Sequence, residues 1–167
     1  MAEKLPVKRL LAVIALLVLA VGGMASPAHA AGDAQSAVAA ANCRHSQGSG
    51  SVVSADYLRL NVGGQAVGAV QLCRSGSYYW AYMVMYSPLR SGYWGNALLF
   101  RFPDGAKWSC NSSGGNRYVE PGQTMCWTPR IYSPSSSQTF LAQAYVCVGT
   151  YPSEAHYYAD GQTARLR

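Results

Sequence analysis

Short apolar and aromatic runs alternate with turn residues along most of the chain, which is the pattern of an antiparallel β-sheet. No stretch of about 12 residues after the N-terminal segment has helical periodicity. We therefore predict an all-β domain, either an antiparallel β-sandwich or a partly open barrel of about seven to nine strands. Its predicted strands are residues 57–62, 66–73, 78–86, 97–102, 107–110, 117–120, 123–132 and 139–148, followed by a hairpin of 155–158 and 163–166.

The strongest predicted strand is 78–86, which reads YYWAYMVMY. Because successive side chains of a strand point to opposite faces, its even positions from Tyr78 to Tyr86 are expected on one face. Its apolar character predicts a central place in the sheet. Tight turns are predicted at 103–105 and 159–161, where Asp-Gly pairs occur.

The first thirty residues have the pattern of a secretory signal peptide. Lys4, Lys8 and Arg9 precede a run of 12 apolar residues at 10–21, and residues 28–30 read Ala-His-Ala. A bilayer span needs about 20 apolar residues, so this run is too short to be one. We expect residues 1–30 to be a cleaved leader, the mature protein to be secreted, and no membrane span to remain.

Residues 31–51 are predicted to be a flexible N-terminal extension that ends in a Gly/Ser loop, with the β-domain at 52–167. Residues 31–42 contain one large aliphatic residue and no aromatic residue, so they cannot bury enough apolar area to order alone. Small side chains suit a segment that lies in a narrow groove or adds to a partner's sheet edge. The predicted partner-binding arm comprises Ala31, Gly32, Asp33, Ala34, Gln35, Ser36, Ala37, Val38, Ala39, Ala40, Ala41 and Asn42.

The charge beyond the leader is small and dispersed. The chain has 13 basic and 7 acidic residues, of which the leader holds three and one, so the remainder has a net charge of +4. No two basic residues are adjacent in it, whereas nucleic-acid binders gather basic residues on one stripe. Nucleic acid is therefore not an expected partner.

All five cysteines follow the leader, and in an oxidising compartment the expectation is disulfides. Cys110 and Cys126 flank a polar loop and are expected to pair. Cys43 is expected to pair with Cys73 or with Cys147, and the sequence leaves both open. An odd number of cysteines leaves one thiol over, which we expect to be buried and inert.

The sequence contains no recognisable catalytic, cofactor or metal motif. The cysteines form no C-x-x-C pair, and the two histidines after the leader lack zinc-finger spacing. We expect no enzyme activity, no cofactor and no metal. The less favoured alternative is a small secreted glycosidase or wall hydrolase, with Asp56 and Glu120 as facing carboxylates or His156 as a base.

The chain is rich in aromatic residues, with 12 Tyr, 4 Trp and 3 Phe, more than a core of this size needs. Exposed Tyr and Trp beside Arg are typical of protein interfaces, and aromatic platforms also bind sugars. We expect surface aromatics at Tyr93, Trp94, Tyr151, Tyr157 and Tyr158, with Tyr78, Tyr79 and Tyr86 as further candidates.

Several segments resemble the YjfA-like small secreted proteins. Residues 67–75 read VGAVQLCRS and are followed by YWAY at 79–82, residues 126–132 read CWTPRIY, and 158–163 fit Tyr-x-x-Gly-x-Thr. The resemblance spans about residues 57–166. The function of that family is unknown, so the resemblance supports the fold and implies no catalytic residues.

The chain also resembles the secreted adaptor component of actinobacterial umbrella toxin particles, in its size, leader, cysteines and N-terminal arm. Those adaptors are exported β-domains that join a large toxin to a lectin-like subunit, partly through an N-terminal extension. The resemblance implies that larger secreted proteins are the partners. Our hypothesis is a secreted, non-enzymatic adaptor, with a carbohydrate- or cell-wall-binding module as the alternative.

Overall fold

The computed structural model describes residues 43–149 and 156–167. The predicted signal peptide, the arm at 31–42 and Tyr151 lie outside the described residues. Within the described ranges every regular element is a strand and none is a helix, so none contains a helix that could span a membrane. The strands are β1 (Arg44–His45), β2 (Gly48–Ser49), β3 (Ser51–Leu60), β4 (Ala66–Ser75), β5 (Tyr78–Met85), β6 (Tyr93–Phe102), β7 (Lys107–Ser109), β8 (Met125–Trp127), β9 (Ile131–Tyr132), β10 (Thr139–Val148) and β11 (His156–Gln162).

Nine of these strands form one antiparallel sheet in the order β7-β6-β10-β11-β3-β4-β5-β8, with β9 also paired to β5. The sheet curls on itself, because strands far apart in this order touch across its interior. Tyr79 of β5 stacks on Phe140 of β10 with ring centroids 4.3 Å apart. The all-β, antiparallel prediction is confirmed, in its partly open barrel form.

The interior of the curled sheet holds the main core. Tyr79, Ala81, Met83 and Met85 alternate along β5 into this core and pack with Leu72, Leu99, Phe140 and Val146. The even positions Trp80 and Tyr82 face outward and form a second cluster with the cystine of Cys43 and Cys73. The predicted alternation along this strand is confirmed.

The prediction that 78–86 lies centrally in the sheet is wrong for the strand order, since only the short strands β8 and β9 lie beyond β5. The strand is nevertheless buried on both faces. The β1–β2 hairpin covers its outer face, where the Trp80 indole N–H donates to the carbonyl of Arg44 at 3.2 Å. Residues 43–51, part of the predicted extension, thus form a hairpin and the start of β3.

Three predicted elements differ in the structure. Residues 117–120 form only an isolated bridge, in which Val119 and Gly95 exchange backbone hydrogen bonds of 2.8 Å. The segment 123–132 is split into β8 and β9 by residues 128–130, which include Pro129. The prediction of a final hairpin of 155–158 and 163–166 is wrong, because β11 continues through the Asp-Gly pair at 160–161.

Gly161 explains that last difference. A Cβ at this position would lie 2.3 Å from the carbonyl oxygen of Tyr57 in β3. The glycine therefore permits a close approach of two strands, which any side chain at this position would block.

Two disulfides fasten the sheet. Cys110–Cys126 is present as predicted, and Cys43 pairs with Cys73, which decides between the two open alternatives. Cys147 is the free cysteine of the described residues and lies buried in β10, as predicted for the leftover thiol. Two disulfides are consistent with an extracellular protein.

Candidate functional site

A groove of about 330 Å³ opens at the end of the curled sheet where β5 ends and β6 begins. Residues at the start of β4 and the end of β5 contribute Val67 and Met85 as apolar lining, and the loop after β5 contributes Leu89. The volume is at the lower end of the range for ligand sites, which often lie in the mouths of barrels.

Three tyrosines give the groove its character. Tyr86 is 50% exposed and Tyr158 is 39% exposed. The ring of Tyr93 is half-buried and meets that of Tyr158 edge-on, with centroids 4.9 Å apart. The groove therefore presents ring edges and hydroxyl groups beside an apolar lining.

Backbone hydrogen bonds fix the loop that carries part of the groove. Tyr86 donates its N–H to the carbonyl of Val67 at 3.0 Å. Leu89 donates to Gln123 at 3.0 Å and accepts from Gly122 at 2.9 Å, which ties the loop to the segment before β8. Because these bonds involve the main chain on both sides, the groove is preformed, and a ligand does not have to order it.

The groove carries positive charge. Arg90 is the charged residue among the described residues that line it. Beside it, burial and the nearby Tyr57 raise the pKa of Tyr86 above its ordinary value of 10, while Arg59 opposes that shift. The Tyr86 hydroxyl therefore stays neutral at physiological pH and can donate a hydrogen bond.

The predicted surface aromatics differ in whether they line the groove. Tyr93 and Tyr158 line the groove. Tyr157 is 63% exposed but lies outside the described groove lining, with its ring edge-on to Tyr145 at 5.4 Å. The further candidates Tyr78 and Tyr86 are exposed, as predicted.

Two predicted surface aromatics are buried instead. Trp94 is 9% exposed, because its ring packs edge-on against both Tyr118 and Tyr145. Tyr79 is 2% exposed, because it stacks on Phe140 in the core. Sequence reasoning missed Arg90 and also Tyr132, which is 57% exposed. Tyr132 lies on a short strand just after Pro129, and that proline was a usable sequence signal of a sheet edge.

The residues of the enzymatic alternative lie on separate elements. Asp56 of β3 accepts backbone hydrogen bonds from Tyr57 at 2.8 Å and from Gln162 at 3.4 Å. Glu120 lies in the loop before β8, and His156 is exposed at the start of β11. No hydrogen bond or ion pair of the described chain joins any two of these three residues. Nor do three metal-binding side chains converge anywhere within 43–149 and 156–167.

Comparison with known proteins gives a partial match. The chain is 36% identical over 88 residues to the uncharacterized protein YjfA of Bacillus subtilis (strain 168), a match that covers 48% of this chain and 54% of that relative. The chain thus spans about half the length of the curated relative it matches. This match supports the resemblance to YjfA-like proteins, and nothing in it supports the resemblance to umbrella-toxin adaptors. No family model matches the chain. No solved structure matches it.

Proposed function

We propose that this chain is a secreted, non-enzymatic interaction module that holds a segment of a larger secreted protein in the groove of Tyr86, Tyr93, Tyr158 and Arg90. The observation that carries the proposal is the groove itself, which combines tyrosines, one arginine and an apolar lining. Tyr and Arg are the residues that most often dominate protein-binding energy. A preformed groove of this kind suits an extended peptide segment with one apolar anchor.

A carbohydrate ligand is the second candidate, and the exposed tyrosines favour it. The orientation of the rings favours a peptide. Tyr93 and Tyr158 lie at 71° to each other, so they do not form a flat platform on which a sugar ring would stack. Their edges and hydroxyl groups are better suited to contacts around an amino-acid side chain.

The finer form of the proposal is an adaptor subunit of a secreted antibacterial complex of the umbrella type, which binds one partner through residues 31–42 and another through the β-domain. Two features support this form of the proposal: the composition of the arm, and the cysteine that directly follows the arm. Asn42 is followed at once by Cys43, which is buried and covalently bonded to β4. A partner bound to the arm would therefore be tied to the body of the sheet.

The test is recovery of partners from the native culture supernatant, identified by mass spectrometry. Tyr86→Ala and Tyr158→Ala should each lose a protein that the unchanged chain recovers. Tyr157→Ala is the matched control, since Tyr157 is adjacent in sequence and more exposed but lies outside the groove lining, and it should keep that protein.

Deleting residues 31–42 should lose a different partner and leave the thermal midpoint nearly unchanged. If the unchanged chain recovers wall polysaccharide, and Tyr86→Ala and Tyr158→Ala abolish that recovery, the carbohydrate module replaces the adaptor. Hydrolysis of a wall or sugar substrate that is lost in Glu120→Gln or His156→Ala would instead establish an enzyme.

A further inference from the structure

A second group of exposed aromatic residues lies at the opposite end of β5 from the groove. Tyr78 at the start of β5 pairs with Tyr132 of β9, and their ring centroids are 5.2 Å apart. The two residues are 41% and 57% exposed. Since β5 has eight residues and a strand rises about 3.3 Å per residue, these tyrosines lie roughly 25 Å along the strand from the groove.

Arg130 places a positive charge beside this tyrosine pair. Its guanidinium carbon lies 4.7 Å from the ring centroid of Tyr78 and 5.3 Å from that of Trp80. The Nε atom of Arg130 is buried, and no described acceptor takes a hydrogen bond from it. The aromatic rings hold the guanidinium in place without neutralising it, because a cation–π contact leaves the charge intact.

The β1–β2 hairpin lies beside Arg130, because both contact Trp80. Arg44 is exposed on the hairpin that covers Trp80, and its own carbonyl holds the Trp80 indole N–H. The charge of Arg130 also acts on His45, whose ring packs against those of Trp80 and Trp127. Burial first and Arg130 second lower the pKa of His45. We call Tyr78, Tyr132 and Arg130 the β5-start patch.

No described carboxylate balances the β5-start patch. The ion pair found among the described residues is Arg101–Asp104, which joins the end of β6 to the turn before β7. The other described acids are Asp56 on β3, Glu120 before β8 and Asp160 on β11. Arg130 forms no ion pair with any of them, so no acid of the described residues neutralises its charge.

We propose that the β5-start patch is a docking surface for an acidic segment of a partner protein, in which a carboxylate of the partner accepts hydrogen bonds from Arg130. A planar guanidinium matches the two oxygens of a carboxylate, and the adjacent tyrosine rings contact the apolar side chains that flank it. This proposal rests on the proposed function, because the chain bridges two partners only if it holds one in the groove and the other at this patch.

An anionic wall polymer is the competing ligand. Binding of a polyphosphate chain depends on many cations that follow its backbone, and its affinity comes mainly from released counterions. The patch instead offers one arginine and two tyrosines at one place, which favours a single carboxylate with an apolar neighbour. The acidic peptide segment is therefore the ligand that the geometry fits.

The test titrates the purified, secreted full-length protein with a terminally blocked peptide of sequence Glu-Phe-Glu-Phe-Glu, and follows backbone amide shifts by NMR. Shifts should concentrate at residues 78, 130 and 132. The matched Gln-Phe-Gln-Phe-Gln peptide should bind at least about tenfold more weakly, because it lacks the charge that Arg130 binds. Arg130→Gln should cause a similar loss, and Arg130→Lys should restore part of the affinity.

Arg59→Gln serves as the control variant, since it removes an exposed arginine that also lies over a tyrosine ring, that of Tyr57 at 4.9 Å, but belongs to neither the groove lining nor the patch, and it should leave peptide binding unchanged. A melting curve checks that each variant is folded. Absence of binding, equal binding of both peptides, or shifts confined to the groove would overturn the proposal. Inorganic polyphosphate that binds the patch more tightly than the acidic peptide would overturn it in favour of the polymer. Loss of a supernatant partner in Tyr158→Ala is measured separately, so the groove and the patch can fail independently.

Discussion

The Cys43–Cys73 disulfide should contribute more to stability than Cys110–Cys126, and the difference can be worked out from the chain. The two bridges span 30 and 16 residues of sequence. In the chain-entropy model the longer loop stabilises the fold by about 3.6 kcal/mol and the shorter by about 3.1 kcal/mol. Entropy alone therefore predicts a small difference in the free energy of unfolding.

Packing enlarges that difference. Cys43 is the point at which the β1–β2 hairpin is fastened to β4, and the hairpin covers Trp80 closely. A Cβ at Gly50 would lie 2.3 Å from the Trp80 ring. Without the disulfide, the hairpin keeps only its packing on Trp80 and Trp127 and single hydrogen bonds, such as that from the Cys43 N–H to the Gln71 side chain at 3.2 Å. A bond of this kind contributes only about 1 kcal/mol.

We therefore expect Cys43→Ala/Cys73→Ala to lose about 4 kcal/mol or more and to expose Trp80 before the sheet unfolds. Urea unfolding should be followed by tryptophan fluorescence and by far-UV circular dichroism on the same samples. In this variant the fluorescence transition should precede the dichroism transition, whereas in Cys110→Ala/Cys126→Ala the two should coincide. Coincident transitions in both variants, or a larger loss in the second variant, would refute this reasoning.

Three further predictions concern single residues. Burial and then Arg130 lower the pKa of His45 below 6.5, so the neutral His45 ring contributes to stability fully above pH 6.5, and that contribution is lost as the pH falls below 6.5. The fall in unfolding free energy between pH 7 and pH 5 should therefore be smaller in His45→Gln than in the unchanged protein. An equal fall in the two proteins would contradict this. Burial raises the pKa of Cys147 to about 11. This thiol should therefore not react with an aromatic disulfide reagent at pH 8 until denaturant unfolds the chain. Rapid labelling of Cys147 in the native protein would contradict this prediction. Gly161→Ala should lose about 2 kcal/mol or more by clashing with Tyr57, measured by urea unfolding. The control Gly122→Asn keeps a left-handed residue in open space and should lose much less.

Much of the fold could be predicted because its signals are local. The alternation along β5 and the bounds of β10 depend on side chains within one strand, and both agree with the structure. The Asp-Gly pair at 160–161 misled the prediction, because the reason for Gly161 is the carbonyl of Tyr57, about a hundred positions earlier. Local patterns do not carry information on such contacts.

The candidate site could be predicted only in part for the same reason. Tyr93 and Tyr158 were expected at the surface, but Trp94 is buried by Tyr118 and Tyr145, which come from other segments. Arg90 had no local signal, since the loop that presents it is held by hydrogen bonds to 122 and 123. The choice of Cys73 over Cys147 as the partner of Cys43 also depends on which strand the hairpin covers.

The position of Cys73 within the sheet has a mechanical consequence. A pull on the chain from the side of residue 42 meets the Cys43–Cys73 bond before it reaches β1, so the force enters β4 covalently and the hairpin bears little of it. β4 is hydrogen-bonded along its length to both β3 and β5, so the load is shared by two rows of bonds at once. Under reducing conditions the same pull would open the hairpin one bond at a time. A tether at the N-terminus is therefore strong only where the disulfide is kept oxidised.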